Sequence, residues 1–162
     1  MNTATLTFSI EINARPKTIF EYVSNWEKQS EWILFTKVKL LKGLPNQKDP
    51  LLLAITGVGP FKVKDTMVIT DWHPYKRIVV EHTGRVVLGK GVFLIEEISD
   101  KVSKFTWQEI TPIPLGFIGQ IGLVLIRPIM NIAFGKSLKN LKNKIENAYY
   151  AIRSRLVQVV AG

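Results

Sequence analysis

Three polar residues interrupt strand-like segments that are otherwise apolar on one face. Alternation along the chain places Asp65, His82 and Glu109 each on a face whose other members are apolar. A few polar groups on an apolar wall can orient a hydrophobic ligand, and a buried histidine beside a carboxylate can exchange protons with a substrate. We therefore take these three residues as candidates for the polar part of a binding or catalytic site.

Each of the three candidates also has a simpler structural interpretation. Asp65 could follow a β-bulge or pair with Lys62 or Lys64. Glu109 lies near the end of its strand, where its carboxylate could reach water. His82 lies beside a turn and could face solvent or bond to the backbone. The sequence leaves both interpretations open for all three residues.

Signatures of other chemistry are poor. The chain has no cysteine and only two histidines, which excludes disulfides, thiolate catalysis and the usual zinc sites. The glycine pairs Gly57–Gly59 and Gly89–Gly91 lie between strands and open no helix, so neither predicts a phosphate loop. No serine lies in a nucleophile-elbow context. We expect no metal site and no cofactor.

The elements that would position the candidates follow from hydrophobic periodicity. Alternation predicts a strand over Leu6–Ile12, and Pro16 then opens a helix that ends near Val23 or Ser24. Asn25 caps a second short helix that ends near Trp32. Short connections favour an antiparallel meander for the strands that come next. These strands are predicted over Thr36–Leu41, Leu51–Thr56, Phe61–Trp72, Arg77–Thr83, Val86–Ile98 and Val102–Ile110.

The C-terminal segment begins with an uncharged apolar run over residues 113–126 and continues as a basic amphipathic helix. The helix is predicted to begin near Leu115 or Gly116, and Pro128 should kink or split it. From Arg127 onward the segment holds seven Lys or Arg against one Glu, in a chain of 162 residues with a net charge of +9. We expect one domain over residues 1–162.

The apolar run either closes a cavity or touches a membrane. A membrane-spanning helix is disfavoured because the run contains Gln120 and ends at Arg127 and Pro128. The basic C-terminal helix could instead contact an anionic membrane peripherally, or its lysines could simply be solvated. Nucleic acid fits less well, because the aromatic residues lie at core positions of strands. The N-terminus lacks a signal-peptide pattern, so we expect a cytoplasmic protein, either free or membrane-peripheral.

The order of elements is one strand, two short helices, six strands and one long helix, and it resembles the START-like (SRPBCC) superfamily. Phe8–Phe20 looks like that superfamily's opening strand and helix, and Trp26 and Trp32 lie where its second helix usually carries a tryptophan. Asp71–Arg77 looks like its strand end, proline turn and basic residue, and Leu138–Glu146 resembles its closing helix. The superfamily includes pollen-allergen-like proteins and the polyketide cyclase/dehydrase and lipid-transport family.

The resemblance implies an α+β helix-grip fold, in which a seven-stranded antiparallel sheet wraps around the long C-terminal helix. It also implies a cavity between sheet and helix that binds a hydrophobic small molecule or lipid, with transport of the bound molecule as an extension of that role. One alternative is a polyketide-type cyclase or dehydratase that uses Asp65, His82 or Glu109 as acid or base, and another is a protein-interaction module. The expected cavity wall consists of Trp32, Met67, Phe93, Phe105, Trp107, Phe117 and Ile121.

Overall fold

The structure, a computed structural model, describes residues 3–113 and 117–160, and within the second range it describes the side chains of residues 127–148 and 151. The elements follow the predicted order. They are β1 (Thr3–Ile12), α1 (Pro16–Val23), a 3-10 helix (Trp26–Glu31), β2 (Thr36–Lys42), β3 (Leu51–Val58), β4 (Phe61–His73), β5 (Arg77–His82), β6 (Gly89–Ser99), β7 (Val102–Pro112) and α2 (Phe117–Val160).

The strands form one seven-stranded sheet in the order β1-β7-β6-β5-β4-β3-β2. Strands β2 to β7 make the predicted antiparallel meander, and β1 closes the row by pairing with β7 from Thr3↔Pro112 to Ile12↔Ser103. The α+β architecture predicted from the sequence is therefore confirmed. One face of the sheet, called the inner face below, carries the buried residues of the core, among them Ile69, Ile78 and Phe105.

The two short helices lie where the sequence predicts them. Pro16 occupies the first turn of α1, and the helix buries Ile19, Phe20 and Val23 at helical spacing. Asn25 then caps the 3-10 helix, because its side-chain oxygen accepts a hydrogen bond from the backbone N–H of Lys28. These two helices connect β1 to β2.

Helix α2 packs its middle turns on the inner face. Leu138, Leu141 and Ile145 belong to the hydrophobic core, and the Phe134 ring stacks on Phe8 of β1 with 4.6 Å between centroids. The helix runs without interruption from Phe117 to Val160, so of the two outcomes predicted at Pro128, a kink or a split, the split is wrong. A proline removes one backbone hydrogen bond of a helix, and here the turns on both sides of it remain helical. Within the residues that the structure describes, no helix combines the length and apolar character needed to cross a bilayer.

Strand β6 begins later than predicted. The sequence places Val86 in the strand, but pairing with β5 starts at His82↔Gly89. Gly89 has a φ of 112°, a conformation that favours glycine and that ends the preceding loop. Residues 83–88 consequently form a loop, and Val86 at its centre is 71% exposed.

Candidate functional site

The three polar candidates meet at one point on the inner face. Asp65 comes from β4, His82 from β5 and Glu109 from β7. The Nδ1 atom of His82 lies 2.6 Å from Oδ2 of Asp65, and its Nε2 atom lies 3.4 Å from Oε2 of Glu109. The side chains of Asp65 and His82 are each 8% exposed and that of Glu109 is 14% exposed. We call these three residues the carboxylate–histidine cluster.

Glycines on the intervening strand allow the cluster to form. Strand β6 lies between His82 and Glu109, and the inner-face residues that pair with them are Gly89 and Gly91, respectively. Because glycine has no side chain, the imidazole and the carboxylate meet across β6. A Cβ atom at Gly91 would lie 3.3 Å from Oε1 of Glu109, which is closer than ordinary contact. On the other side, a Cβ atom at Gly84 would lie 2.8 Å from Oδ1 of Asp65.

The cluster holds a positive charge on His82. Burial alone lowers the pKa of His82, but the hydrogen bonds to Asp65 and Glu109 and the charges of the two carboxylates outweigh burial and raise it to about 9. The protonated ring donates from both nitrogens, so it has no lone pair left to act as a base. The atoms of the cluster that can accept a further proton or hydrogen bond are therefore carboxylate oxygens.

The two carboxylates differ in how they are satisfied. The indole N–H of Trp107 donates to Oε1 of Glu109 at 2.7 Å, so both oxygens of Glu109 have a donor. Oδ1 of Asp65 is buried and has no hydrogen-bond partner among the described residues. The indole nitrogen of Trp32, in the adjoining core, is likewise buried and unpartnered within the described part of the chain. Among the described side chains, the interior thus holds one unsatisfied acceptor and one unsatisfied donor.

Aromatic rings pack beside the cluster. Trp32 is fully buried, and its ring centroid lies 5.5 Å from Trp107, 6.1 Å from Phe93 and 6.2 Å from Phe105. Met67 pairs directly with His82 across β4 and β5 and is 8% exposed. The structure therefore brings five of the seven predicted wall residues into one core cluster. The side chains of the other two, Phe117 and Ile121, lie outside the described residues.

Sequence reasoning missed the polar role of Trp107. It placed this residue on the apolar wall, although residues two apart in a strand share a face, and this spacing relates Trp107 to Glu109. It also gave no role to Gly91. The available signal was a glycine pair on the inner face of a strand between two polar candidates.

A separate pocket of about 560 Å³ is lined by residues of α1, the 3-10 helix and the β4–β5 turn, among others. Phe20 contributes to its lining, and the Trp72 and Tyr75 rings pack edge-on against Phe20 at 5.0 and 5.6 Å. Sequence analysis did not identify this pocket. Among the described residues, no group of three or more His, Cys, Asp or Glu side chains is arranged to hold a metal ion.

Solved structures share this arrangement of sheet and helices. The Zhui aromatase/cyclase from Streptomyces sp. R1128 superposes with a TM-score of 0.75 at 10% identity, over 90% of this chain and 94% of that one. The protein TTHA0849 from Thermus thermophilus gives a TM-score of 0.70 at 13% identity, over 90% and 99% of the two chains. The chain has the helix-grip fold. The helix-grip resemblance inferred from the sequence is therefore confirmed at the level of fold.

A two-domain helix-grip protein is similar as well. The di-domain ARO/CYC StfQ from the steffimycin biosynthetic pathway matches with a TM-score of 0.69 at 11% identity, over 91% of this chain and 52% of StfQ. A search with protein-family models finds no match to this chain, and a search of curated proteins finds no significant one. At such identities the helix-grip fold is shared, and function has to be argued from the site.

Proposed function

We propose that the protein binds a hydrophobic small molecule that carries polar groups, with the apolar body against the aromatic residues and a polar group at the carboxylate–histidine cluster. The observation that carries this proposal is the Oδ1 atom of Asp65, which lies beside an aromatic core and has no hydrogen-bond partner among the described residues. A buried carboxylate oxygen without a donor loses free energy on the order of 1–3 kcal/mol, which a ligand hydroxyl or amine would recover.

The indole N–H of Trp32, which also has no partner in the described part of the chain, narrows the class of ligand further. A molecule that offers both a hydroxyl and a carbonyl would satisfy the acceptor on Asp65 and the donor on Trp32. The aromatic side chains of Phe93, Phe105 and Trp107 favour a flat, ring-containing body that can pack against their faces and edges. A hydroxylated aromatic ketone has all of these features.

Binding can be tested through tryptophan fluorescence, because Trp32 and Trp107 both belong to the site. We expect hydroxyanthraquinone to quench this fluorescence at a concentration at least about tenfold lower than anthraquinone, since one recovered hydrogen bond is worth roughly 1.4 kcal/mol. Asp65→Asn should reduce the preference for the hydroxylated probe. The matched control is Asp71→Asn, which changes a carboxylate near the end of β4 that pairs with Arg77.

Binding can also be tested without choosing a ligand. Native mass spectrometry of the purified protein, with solvent extraction of any copurified lipid, asks which hydrophobic molecules the protein retains. Equal affinity of the wild-type protein for both anthraquinones, or no binding of either and no copurified apolar molecule, would contradict the proposal.

A second candidate function is acid–base catalysis of a cyclisation. The observation that favours it is the convergence of three titratable side chains on one point, together with the aromatase/cyclase names of proteins with the same fold. In this candidate, Glu109 removes a proton from a carbon between two carbonyls of a poly-β-ketone. The resulting enolate carbon attacks a third carbonyl of the same molecule, the new alkoxide takes up the proton, and loss of water follows.

Hydrogen bonds would hold Glu109, the base, in place for this step. His82 and the Trp107 indole hold the two oxygens of Glu109, so the carboxylate is fixed in orientation before it accepts the proton. Incubation with a synthetic poly-β-ketone, followed by mass spectrometry, tests the candidate. Glu109→Gln should abolish the loss of water, whereas substitution of the neighbouring Gln108 by Glu should not. A wild-type rate equal to that in buffer would remove the candidate.

A further inference from the structure

Exposed apolar side chains gather at one end of the sheet. The pairings Val58↔Phe61 and His82↔Gly89 place the β3–β4 turn and the β5–β6 loop at the same end of the sheet. The carboxyl end of β7 also lies there, because Lys90 pairs with Ile110. We call this end of the sheet the loop end. Its exposed apolar residues are Phe35 (67%), Val58 (60%), Phe61 (84%), Val63 (39%), Val86 (71%) and Leu88 (48%).

The charged residues of the β3–β4 turn and of the β5–β6 loop, counted with the strand ends that flank them, all have one sign. Residues 56–64 contain Lys62 and Lys64, and residues 83–90 contain Arg85 and Lys90, with no Asp or Glu in either range. Lys90 pairs with Glu81 at 3.6 Å. The other three cations have no ion-pair partner within the described part of the chain. The loop end therefore presents apolar tips surrounded by positive charge that is free to meet an anionic surface.

We propose that the loop end docks on an anionic membrane surface. Soluble proteins rarely expose a group of apolar side chains such as this one. Apolar side chains flanked by Lys and Arg match a lipid interface, because the apolar groups enter the boundary of the acyl chains while the cations contact lipid phosphates. A second copy of this chain fits less well, because two loop ends would bring positive charges together.

The basic C-terminal helix competes less well for this role. Lys142 donates to the backbone carbonyl of Glu11 and lies 3.7 Å from Glu146, and Lys144 lies 3.8 Å from Glu31. Part of the positive charge of the helix is thus directed to the protein itself. The loop end, by contrast, combines three cations that have no ion-pair partner among the described residues with apolar side chains that are mostly exposed to solvent.

Docking at the loop end would bring the membrane next to the proposed ligand site. Phe61 and Asp65 lie on the same face of β4, four residues apart, so the exposed strand leads from the docking surface to the carboxylate–histidine cluster. A role in taking ligand from a membrane rests on the proposed function. The docking itself rests only on the exposure and charge of the loop end.

Co-sedimentation with vesicles tests the docking. Wild-type protein should bind phosphatidylcholine vesicles that contain phosphatidylserine and should bind pure phosphatidylcholine vesicles at least about tenfold more weakly, because each Lys or Arg near an anionic surface contributes on the order of 1 kcal/mol. The double variant Phe61→Ser/Val86→Ser should bind the anionic vesicles at least about tenfold more weakly than wild type. A second double variant, Lys62→Glu/Lys64→Glu, leaves the apolar tips intact and should lose the dependence on phosphatidylserine.

The matched control comes from the opposite end of the sheet. Leu41→Ser/Ile98→Ser removes two apolar side chains that are 52% and 53% exposed, and this variant should bind vesicles as wild type does. No binding of wild type to anionic vesicles at low salt, or an equal loss in the control variant, overturns the proposal. Dimerisation that Phe61→Ser abolishes would assign the loop end to a second copy and would also overturn it. Quenching of tryptophan fluorescence by the anthraquinones is measured without vesicles. A failure of membrane docking is therefore distinguishable from a failure of the proposed ligand binding.

Discussion

Raising the pH from about 6 to about 9.5 should destabilise the protein through the loss of one proton from His82. The ring titrates near 6.5 when unfolded, and the folded protein raises its pKa to about 9. A raised pKa means that the folded state binds this proton more tightly than the unfolded chain does. The stabilisation is therefore complete below pH 6.5 and is lost as the pH rises toward 9.

The size of the effect follows from the shift. One pKa unit corresponds to about 1.4 kcal/mol, so a shift from 6.5 to about 9 is worth on the order of 3 kcal/mol at full strength. The cluster lies near the loop end, where solvent screens part of the interaction, and we expect about 2 kcal/mol of the free energy of unfolding to be lost.

Urea unfolding at a series of pH values measures this loss. The chain offers a matched control, since its other histidine, His73, also contacts a carboxylate, at 3.0 Å from Asp71, but is 58% exposed. His82→Gln should be about 3 kcal/mol less stable than wild type at pH 6, because two carboxylates then share a buried site without a cation. This deficit should shrink as the pH rises. His73→Gln should follow the wild-type curve.

Nuclear magnetic resonance gives an independent measurement of the same proton. The imidazole resonance that disappears in His82→Gln should titrate near pH 9 in the folded protein. A titration of this resonance below pH 7, or a wild-type stability that stays flat between pH 6.5 and 9, would refute the charge assigned to the cluster.

Three further predictions concern the residues that support the cluster and the core. Gly91→Ala should displace both the Val80 side chain and the Glu109 carboxylate, because the new Cβ would lie 2.9 Å from Cγ2 of Val80 and 3.3 Å from Oε1 of Glu109. The pKa of His82 should then fall toward its usual value in the same titration. Trp107→Phe removes the 2.7 Å hydrogen bond to Glu109 and should lower the free energy of unfolding by about 2 kcal/mol in urea. Ser103→Ala removes a buried hydrogen bond to the Ala14 carbonyl and should lower the free energy of unfolding by about 1 kcal/mol, measured in the same way.

The fold was predictable because local patterns and tertiary burial agree. The alternation along β4 predicts that Asp65, Met67 and Ile69 share a face, and all three are buried. The start of β6 was not predictable. The apolar residue Val86 reads as part of a strand, but pairing with β5 begins only at Gly89, and no local pattern records where a partner strand ends.

The sequence predicts on which face of the sheet each site residue lies, but it does not predict that these residues contact one another. Parity places His82 and Glu109 on inner faces, yet they are 27 residues apart and on strands that do not pair with each other. Their contact depends on the register of both strands with β6 and on Gly91 leaving space between them. Register is a property of the assembled sheet, so periodicity within one strand does not contain it.

The stability of the fold does not by itself explain the presence of the carboxylate–histidine cluster. Replacing a buried set of charged side chains by apolar ones of similar volume is often neutral or stabilising, and the core around it is already apolar. The cluster also leaves Oδ1 of Asp65 without a donor among the described residues, which an apolar side chain at that position would avoid. It lies at the end of the sheet where apolar and basic side chains are exposed, rather than in the centre of the core. A buried charge that is costly to desolvate, that lacks one donor among the described residues and that lies near the exposed loop end supports the proposed role of the cluster in binding a ligand.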